Sequence, residues 1–113
     1  MEDKVTSIRE IKDKINKFVR ERNWTESHSP KNLSMSIAIE AAELMEIFQW
    51  LSTEEAWDIK NSQEFTHLKE ELADILIYCL SFANQLDIDV ADAIEDKMAK
   101  NAKRFPVVNE GEK

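Results

Sequence analysis

Apolar side chains recur along this chain at the spacing of helices. Ile8, Ile11, Ile15, Phe18 and Val19 share a stripe opposite Lys, Arg and Glu, which predicts an amphipathic helix over about residues 6–22. A polar loop follows, Asn23-Trp24-Thr25-Glu26-Ser27-His28-Ser29-Pro30-Lys31, whose proline stops a continuing helix and leaves Asn32 to cap the next. Over about residues 32–51, Leu33, Ile37, Ala41, Leu44, Phe48 and Leu51 line up, while Met35, Ile39, Ala42 and Ile47 make that helix apolar nearly all round. Such a helix needs cover on several sides. A chain of 113 residues can scarcely provide it alone, so the pattern predicts burial at a subunit interface.

Ser52-Thr53-Glu54-Glu55 has the form of a capping box opening a short helical piece that ends near Asn61. Asn61-Ser62-Gln63-Glu64 is the next start signal, for a long helix over about residues 64–86 with Leu68, Leu72, Ile75, Cys79, Phe82 and Leu86 on one stripe. Asp87-Ile88-Asp89 breaks and recaps the chain, and a last helix over about residues 90–103 directs Ile94 and Met98 inward. One glycine and two prolines leave few sites for tight turns, so the class is all-α. A single domain over residues 1–106 and a loosely held tail over 107–113 complete the expectation.

The formal net charge of −8 speaks against a nucleic-acid backbone as partner, and its sign is wrong for an anionic membrane surface. The most apolar run, residues 72–86, is too short to span a bilayer and contains Asp74. Met1-Glu2-Asp3-Lys4 lacks the basic start and apolar core of a secretory signal, so a cytoplasmic protein is expected. The single cysteine, Cys79, reads as a small apolar side chain.

The anomaly lies in the two most apolar helices, each of which carries a carboxylate pair three residues apart: Glu40 with Glu43, and Glu71 with Asp74. Four carboxylates turned toward a common interior repel one another and lose hydration unless a cation compensates them. All-oxygen ligands select a hard ion, Mg²⁺ first and Mn²⁺ second, and Mg²⁺ held by a few carboxylates points to phosphate chemistry. Each pair taken singly fits a solvated stripe; two pairs inside apolar runs do not. Glu46 and Glu70 lie close by, as neighbours of the site or as solvated acids.

Helical spacing continues one acidic face through Ile47 to Trp50 and the other to Tyr78. With Trp24 and His28 from the loop, these rings suit a slot in which a nucleobase stacks, although each ring singly also fits as core or surface filler. In the last helix Lys97, Lys100, Asn101 and Arg104 fall at i, i+3, i+4 and i+7, a cationic face suited to a triphosphate. Complementing the helix dipole accounts for Lys103 and Arg104 but poorly for Lys97 and Asn101.

Glu40-Ala-Ala-Glu43 followed 28 positions after Glu43 by Glu71-Leu-Ala-Asp74 resembles the ExxE…ExxD signature of the MazG-like all-α pyrophosphohydrolases. Arg22-Asn23-Trp24, His28-Ser29-Pro30-Lys31-Asn32-Leu33, Phe48-Gln49-Trp50, Glu70 through Tyr78, and Lys97-Met98…Asn101…Arg104-Phe105-Pro106 are similar to the dCTP pyrophosphatase branch. The resemblance implies a four-helix subunit, assembled as a homodimer or a dimer of dimers with sites at the dimer interface. It further implies Mg²⁺-dependent hydrolysis of a deoxynucleoside triphosphate, dCTP favoured, to monophosphate and pyrophosphate, in the service of nucleotide-pool cleansing. By the same resemblance Glu40, Glu43, Glu71 and Asp74 are catalytic and hold the metal, Trp24, His28, Trp50 and Tyr78 match base-pocket positions, and Lys97, Asn101 and Arg104 match phosphate-side positions. The linker from Trp50 to Glu64 departs from the animal relatives in being shorter, more polar and furnished with Trp57. The rival expectation is a non-catalytic helical interaction module, which leaves the interior acids unexplained.

Overall fold

The computed structural model describes residues 1–108, and every regular element among them is helical. The order is α1 (Ile8–Glu21), α2 (Pro30–Phe48), α3 (Thr53–Trp57) running into a 3₁₀ turn (Asp58–Asn61), α4 (Phe65–Gln85) and α5 (Val90–Arg104). Local chemistry sets the boundaries. Ser7 caps α1, its hydroxyl accepting from the Glu10 N–H at 3.1 Å while the Glu10 carboxylate accepts from the Ser7 N–H. Ser52 and Glu55 form the expected capping box at α3.

The proline in the first loop does more than stop a preceding helix. Pro30 is the first residue of α2, where its missing N–H costs nothing, and Ser29, not Asn32, is the cap, its hydroxyl accepting from the Asn32 N–H at 3.2 Å. Two tight helix endings substitute for glycine. Asn23 (φ 56°) and Asp87 (φ 55°) occupy the left-handed region just past α1 and α4. The following N–H groups reach back to close the last turns, Trp24 to Val19 O at 3.0 Å and Ile88 to Ala83 O at 2.9 Å. Short polar side chains tolerate this backbone better than others, which is how a chain with one glycine turns so sharply.

Helix α4 is central, with α2 packed along it and α1 against its C-terminal part. The core is small: Val19, Leu33 and Ala83 are the buried apolar side chains among the described residues. Lys12 is buried beside them, donating to Ile88 O at 2.7 Å, while the Asn84 amide donates to Lys12 O at 2.9 Å, so that α1 clasps the α4–α5 turn. Beyond that turn α5 extends away, and all of its residues from Ala91 onward are exposed. The expected inward placement of Ile94 and Met98 therefore fails within this chain, where they are 50% and 66% exposed, because α5 packs on no other helix to any extent. The described residues of one chain do not close a four-helix bundle.

The radius of gyration, 17.7 Å, exceeds the roughly 13 Å of a compact chain of this length. Large apolar side chains are correspondingly uncovered, including Met35, Ile39 and Met45 on α2 and Leu72 and Leu76 on α4. No helix among the described residues is long and apolar enough to cross a membrane. The loosely held tail expected from 107 onward lies, past Val108, outside the described residues.

Candidate active site

Because α2 and α4 pack along their lengths, residues at three-residue spacing on each are brought face to face. Glu40 and Glu43 of α2 and Glu71 of α4 each offer a carboxylate oxygen, all within 4.8 Å of one another. Glu40 and Glu71 are half-buried, and Oε2 of each is enclosed without a hydrogen-bond partner. Such an arrangement is costly for anions. Burial of the Glu40 carboxyl foremost, then hydrogen bonding with Glu71 and Glu43 and the charges of Glu43 and Asp74, push its pKa from 4.5 up to about 7. Two enclosed oxygens without donors, in a set made only of oxygen, fit a hard divalent cation.

Asp74, one turn beyond Glu71, stands apart from this trio. It is exposed and lines the neighbouring cavity, while remaining close enough for its charge to act on Glu40. That cavity, about 420 Å³, lies between α1, the first loop and α4, with Ile11, Ile15, Phe18, Trp24, His28 and Tyr78 among its walls. Its aromatic side is ordered as a stack. Trp24 and His28 are nearly parallel at 5.7 Å, and His28 faces Tyr78 at 6.5 Å. Phe18 meets Trp24 edge-on at 5.8 Å, and the Arg22 guanidinium lies over the Phe18 ring, 3.5 Å from its centre. The left-handed turn at Asn23 delivers Trp24 to this position, and His28 Nδ1 donates to Trp24 O at 3.0 Å.

A second cleft, of about 440 Å³, is lined by Glu43, Glu46, Ile47, Glu64, His67 and Glu71. His67 was missed in the sequence. Its Nε2 lies 3.2 Å from Glu71 Oε1 and its Nδ1 3.3 Å from Glu64 Oε2, contacts that its spacing of four before Glu71 and three after Glu64 permits. The hydrogen bond to Glu64, followed by that to Glu71 and against some burial, holds the imidazole above its ordinary value of 6.5. Glu46 thus lines the cleft beside the trio.

The structure joins Glu40, Glu43 and Glu71 in one cluster and Trp24, His28, Tyr78 and Asp74 in the adjoining cavity. It does not bring the remaining expected residues to either. Trp50, just past α2, is 86% exposed, and Lys97, Asn101 and Arg104 are exposed on α5, with Arg104 lying 5.1 Å from the Phe105 ring centre. The α1 side chains of the cavity went unassigned in the sequence because a helical stripe says which residues turn inward without saying what they face.

Comparison with known proteins agrees with this geometry. The chain is 40% identical over 94 residues to dCTP pyrophosphatase 1 of Mus musculus, covering 80% of this chain and 54% of that protein. It is 37% identical over 93 residues to dCTP pyrophosphatase 1 of Homo sapiens, covering 79% and 53%. It thus spans about half the length of these curated relatives. A crystal structure of a pyrophosphatase from Archaeoglobus fulgidus superposes with a TM-score of 0.79 at 40% identity, covering 84% of this chain and 88% of that one. The model of the MazG-like family matches residues 35–113, which include both acidic motifs, and the chain belongs to that family.

Proposed function

We propose that the chain hydrolyses a deoxynucleoside triphosphate, dCTP favoured, to its monophosphate and pyrophosphate, with Mg²⁺ as cofactor and Mn²⁺ as a substitute. The observation that carries this reading is the trio Glu40, Glu43 and Glu71, two of its oxygens enclosed and unpartnered, set beside an aromatic cavity. The likeness to dCTP pyrophosphatase 1 supports the choice of base. Glu40, Glu43 and Glu71, with Asp74 at the cavity edge, would hold the metal. Bound there, the ion neutralises charge on the triphosphate and acidifies water.

The protein's own residues do the rest. One of Glu40, Glu43 and Glu71 takes the proton of the water that attacks the α-phosphorus. The bond from that phosphorus to the α,β-bridging oxygen breaks, and pyrophosphate leaves with the electron pair. Trp24, His28 and Tyr78 stack the base, and this fixes the reacting phosphorus relative to the carboxylates. Trp50 and the phosphate-side residues Lys97, Asn101 and Arg104 act in an assembly, a homodimer or a dimer of dimers, that covers the exposed faces of α2, α4 and α5. The uncovered Met35, Ile39, Leu72, Leu76, Ile94 and Met98 support such an assembly. Neither nucleic acid nor membrane is a partner in this reading, and the task is cleansing of the nucleotide pool in the cytoplasm.

The test is incubation of the pure protein with ribo- and deoxynucleoside triphosphates and Mg²⁺, separating monophosphate plus pyrophosphate from diphosphate plus phosphate. Turnover of dCTP to monophosphate and pyrophosphate, absent in Glu43→Gln, is expected. Diphosphate as product, or undiminished turnover in the variant, refutes the assignment.

A further inference from the structure

The loop that carries Trp24 and His28 has little packing to hold it, since residues 23–27 are all exposed. Besides the Trp24 N–H bond to Val19 O and the ring contacts with Phe18 and Tyr78, its attachment to α2 and α4 is made by side-chain amides. The Asn32 amide donates to Ser27 O at 3.0 Å, which ties the loop to α2. Gln85, the last residue of α4, donates from one nitrogen to both Thr25 O, at 2.9 Å, and His28 O. Both acceptors are carbonyls, so the amide can face them only with its nitrogen, and its two hydrogens match the two acceptors. These contacts join residues 60 and 57 positions apart.

The placement of Gln85 on α4 gives this tie a consequence. Tyr78 and Gln85 are seven residues apart, two turns of helix, and so lie on one face, as do Asp74 and Tyr78 at a spacing of four. One rigid helix therefore carries Asp74, the Tyr78 ring at the end of the stack, and the amide that grips the loop bearing the other two rings. The bonds bracket His28, since they fall on its own carbonyl and on that of Thr25, next to Trp24. The 6.5 Å approach of His28 to Tyr78 is closed across this span.

We infer that Gln85 is a positioning residue for nucleobase recognition: it touches no part of the nucleotide but holds the Trp24–His28 loop in register with Tyr78, so that the stack is formed before the base arrives. This rests on the reading of the aromatic cavity as the base site. Two neutral hydrogen bonds are lost when Gln85 is replaced by Leu, which matches it in size, and loop order before binding falls accordingly. The deficit enters affinity for ligands that use the stack and for no others.

The experiment compares wild type, Gln85→Leu and Gln85→Lys, the last restoring N–H donors, with the deoxynucleoside triphosphate that wild type cleaves fastest. In Gln85→Leu, KM should rise roughly tenfold with kcat within about twofold, and Gln85→Lys should recover most of the loss. Inorganic tripolyphosphate, which has no base, should inhibit wild type and Gln85→Leu equally as a competitor. The Trp24 indole N–H resonance, assigned with Trp24→Phe, should shift or broaden in Gln85→Leu without any ligand. An unchanged KM, or equal weakening of nucleotide and tripolyphosphate, overturns the inference. Should wild type cleave no nucleotide, the functional reading itself falls; the indole resonance then still decides whether Gln85 holds the loop, an unchanged resonance overturning that as well.

Discussion

Replacing Glu40 by Gln should stabilise the metal-free protein at alkaline pH, although it removes a group proposed to be essential for turnover. A carboxyl whose pKa is about 7 when folded, against an ordinary 4.5, binds more protons folded than unfolded between those values. Folded stability then falls as pH rises from 4.5 toward 7 and levels off above it, the reverse of a salt-bridged carboxylate. A shift of that size corresponds to at most roughly 3.5 kcal/mol at about 1.4 kcal/mol per unit, and solvent relaxation of a half-buried site brings the expected difference to about 1–3 kcal/mol. Glutamine keeps the shape without the charge and can donate to the carboxylates of Glu43 and Glu71. Urea denaturation of wild type and Glu40→Gln at fixed protein concentration in chelator, from pH 4.5 to 8.5, reads the effect, since other titrations common to both proteins cancel in the difference. The curves should coincide at the acid end, diverge in favour of the variant as pH rises toward 7, and keep a constant separation above it. Adding Mg²⁺ at pH 8 should raise wild type more than the variant, by about 2.7 kcal/mol at a hundred times the dissociation constant. Parallel curves across the whole range would refute the electrostatic account of the trio.

Three further outcomes follow from packing and capping. Lys12→Met should lower stability by about 1–3 kcal/mol in urea titration, because Ile88 O loses its donor at a half-buried turn; a change under about 0.5 kcal/mol would mean the clasp contributes nothing. Ser7→Ala should cost about 1 kcal/mol and fray the start of α1, read as faster amide hydrogen exchange at Ile8 to Ile11 with the rest of the chain unaffected. Trp50→Ala removes an 86% exposed ring, so stability of the dilute chain should stay within about 0.5 kcal/mol while KM for the nucleotide, or self-association in sedimentation, worsens several-fold. Unaltered kinetics and association together would take Trp50 out of the site.

The four long helices were legible from the repeats of their apolar stripes, and the starts of α3 and α5 because their capping residues, Ser52 and Asp89, are local chemistry. The cap of α2 was misplaced for a reason equally local: a proline both blocks a preceding helix and starts a following one, and the Ser29 hydroxyl before it, not Asn32, caps the start. The trio was legible from acids three apart in apolar surroundings, since the charge conflict can be read without coordinates. What stayed hidden depends on contacts across many residues. Gln85 meets Thr25 and His28 through the fold alone, and nothing in its sequence neighbourhood sets it apart from a solvated glutamine at a helix end. His67 is different: its spacing from Glu64 and Glu71 was readable, yet helical neighbours of this kind are common on charged surfaces and carry weight only once Glu71 is known to be enclosed.

The inward reading of Ile94 and Met98 failed within one chain, and the reason connects the fold to the proposed chemistry. A helix with an apolar stripe buries it somewhere, and α5, tied to its own subunit chiefly through the Lys12–Ile88 clasp, leaves that stripe bare. The same helix bears Lys97, Asn101 and Arg104, two cations and an amide expected on the phosphate side, while the exposed faces of α2 and α4 flank carboxylates whose Glu40 and Glu71 Oε2 atoms have no partner, His67 meeting only Oε1 of Glu71. Apolar cover and partners for the enclosed oxygens are thus wanting in the same half of the molecule, and α5 carries an apolar stripe together with positive charge. A second copy docking α5 along α2 and α4 would satisfy both deficits at once, and folding stability, assembly and nucleotide affinity would then depend on protein concentration together. Kinetics of the proposed reaction across a dilution series tests this coupling directly: specific activity that falls with the assembled fraction measured by sedimentation supports it, and activity independent of concentration through full dissociation defeats it.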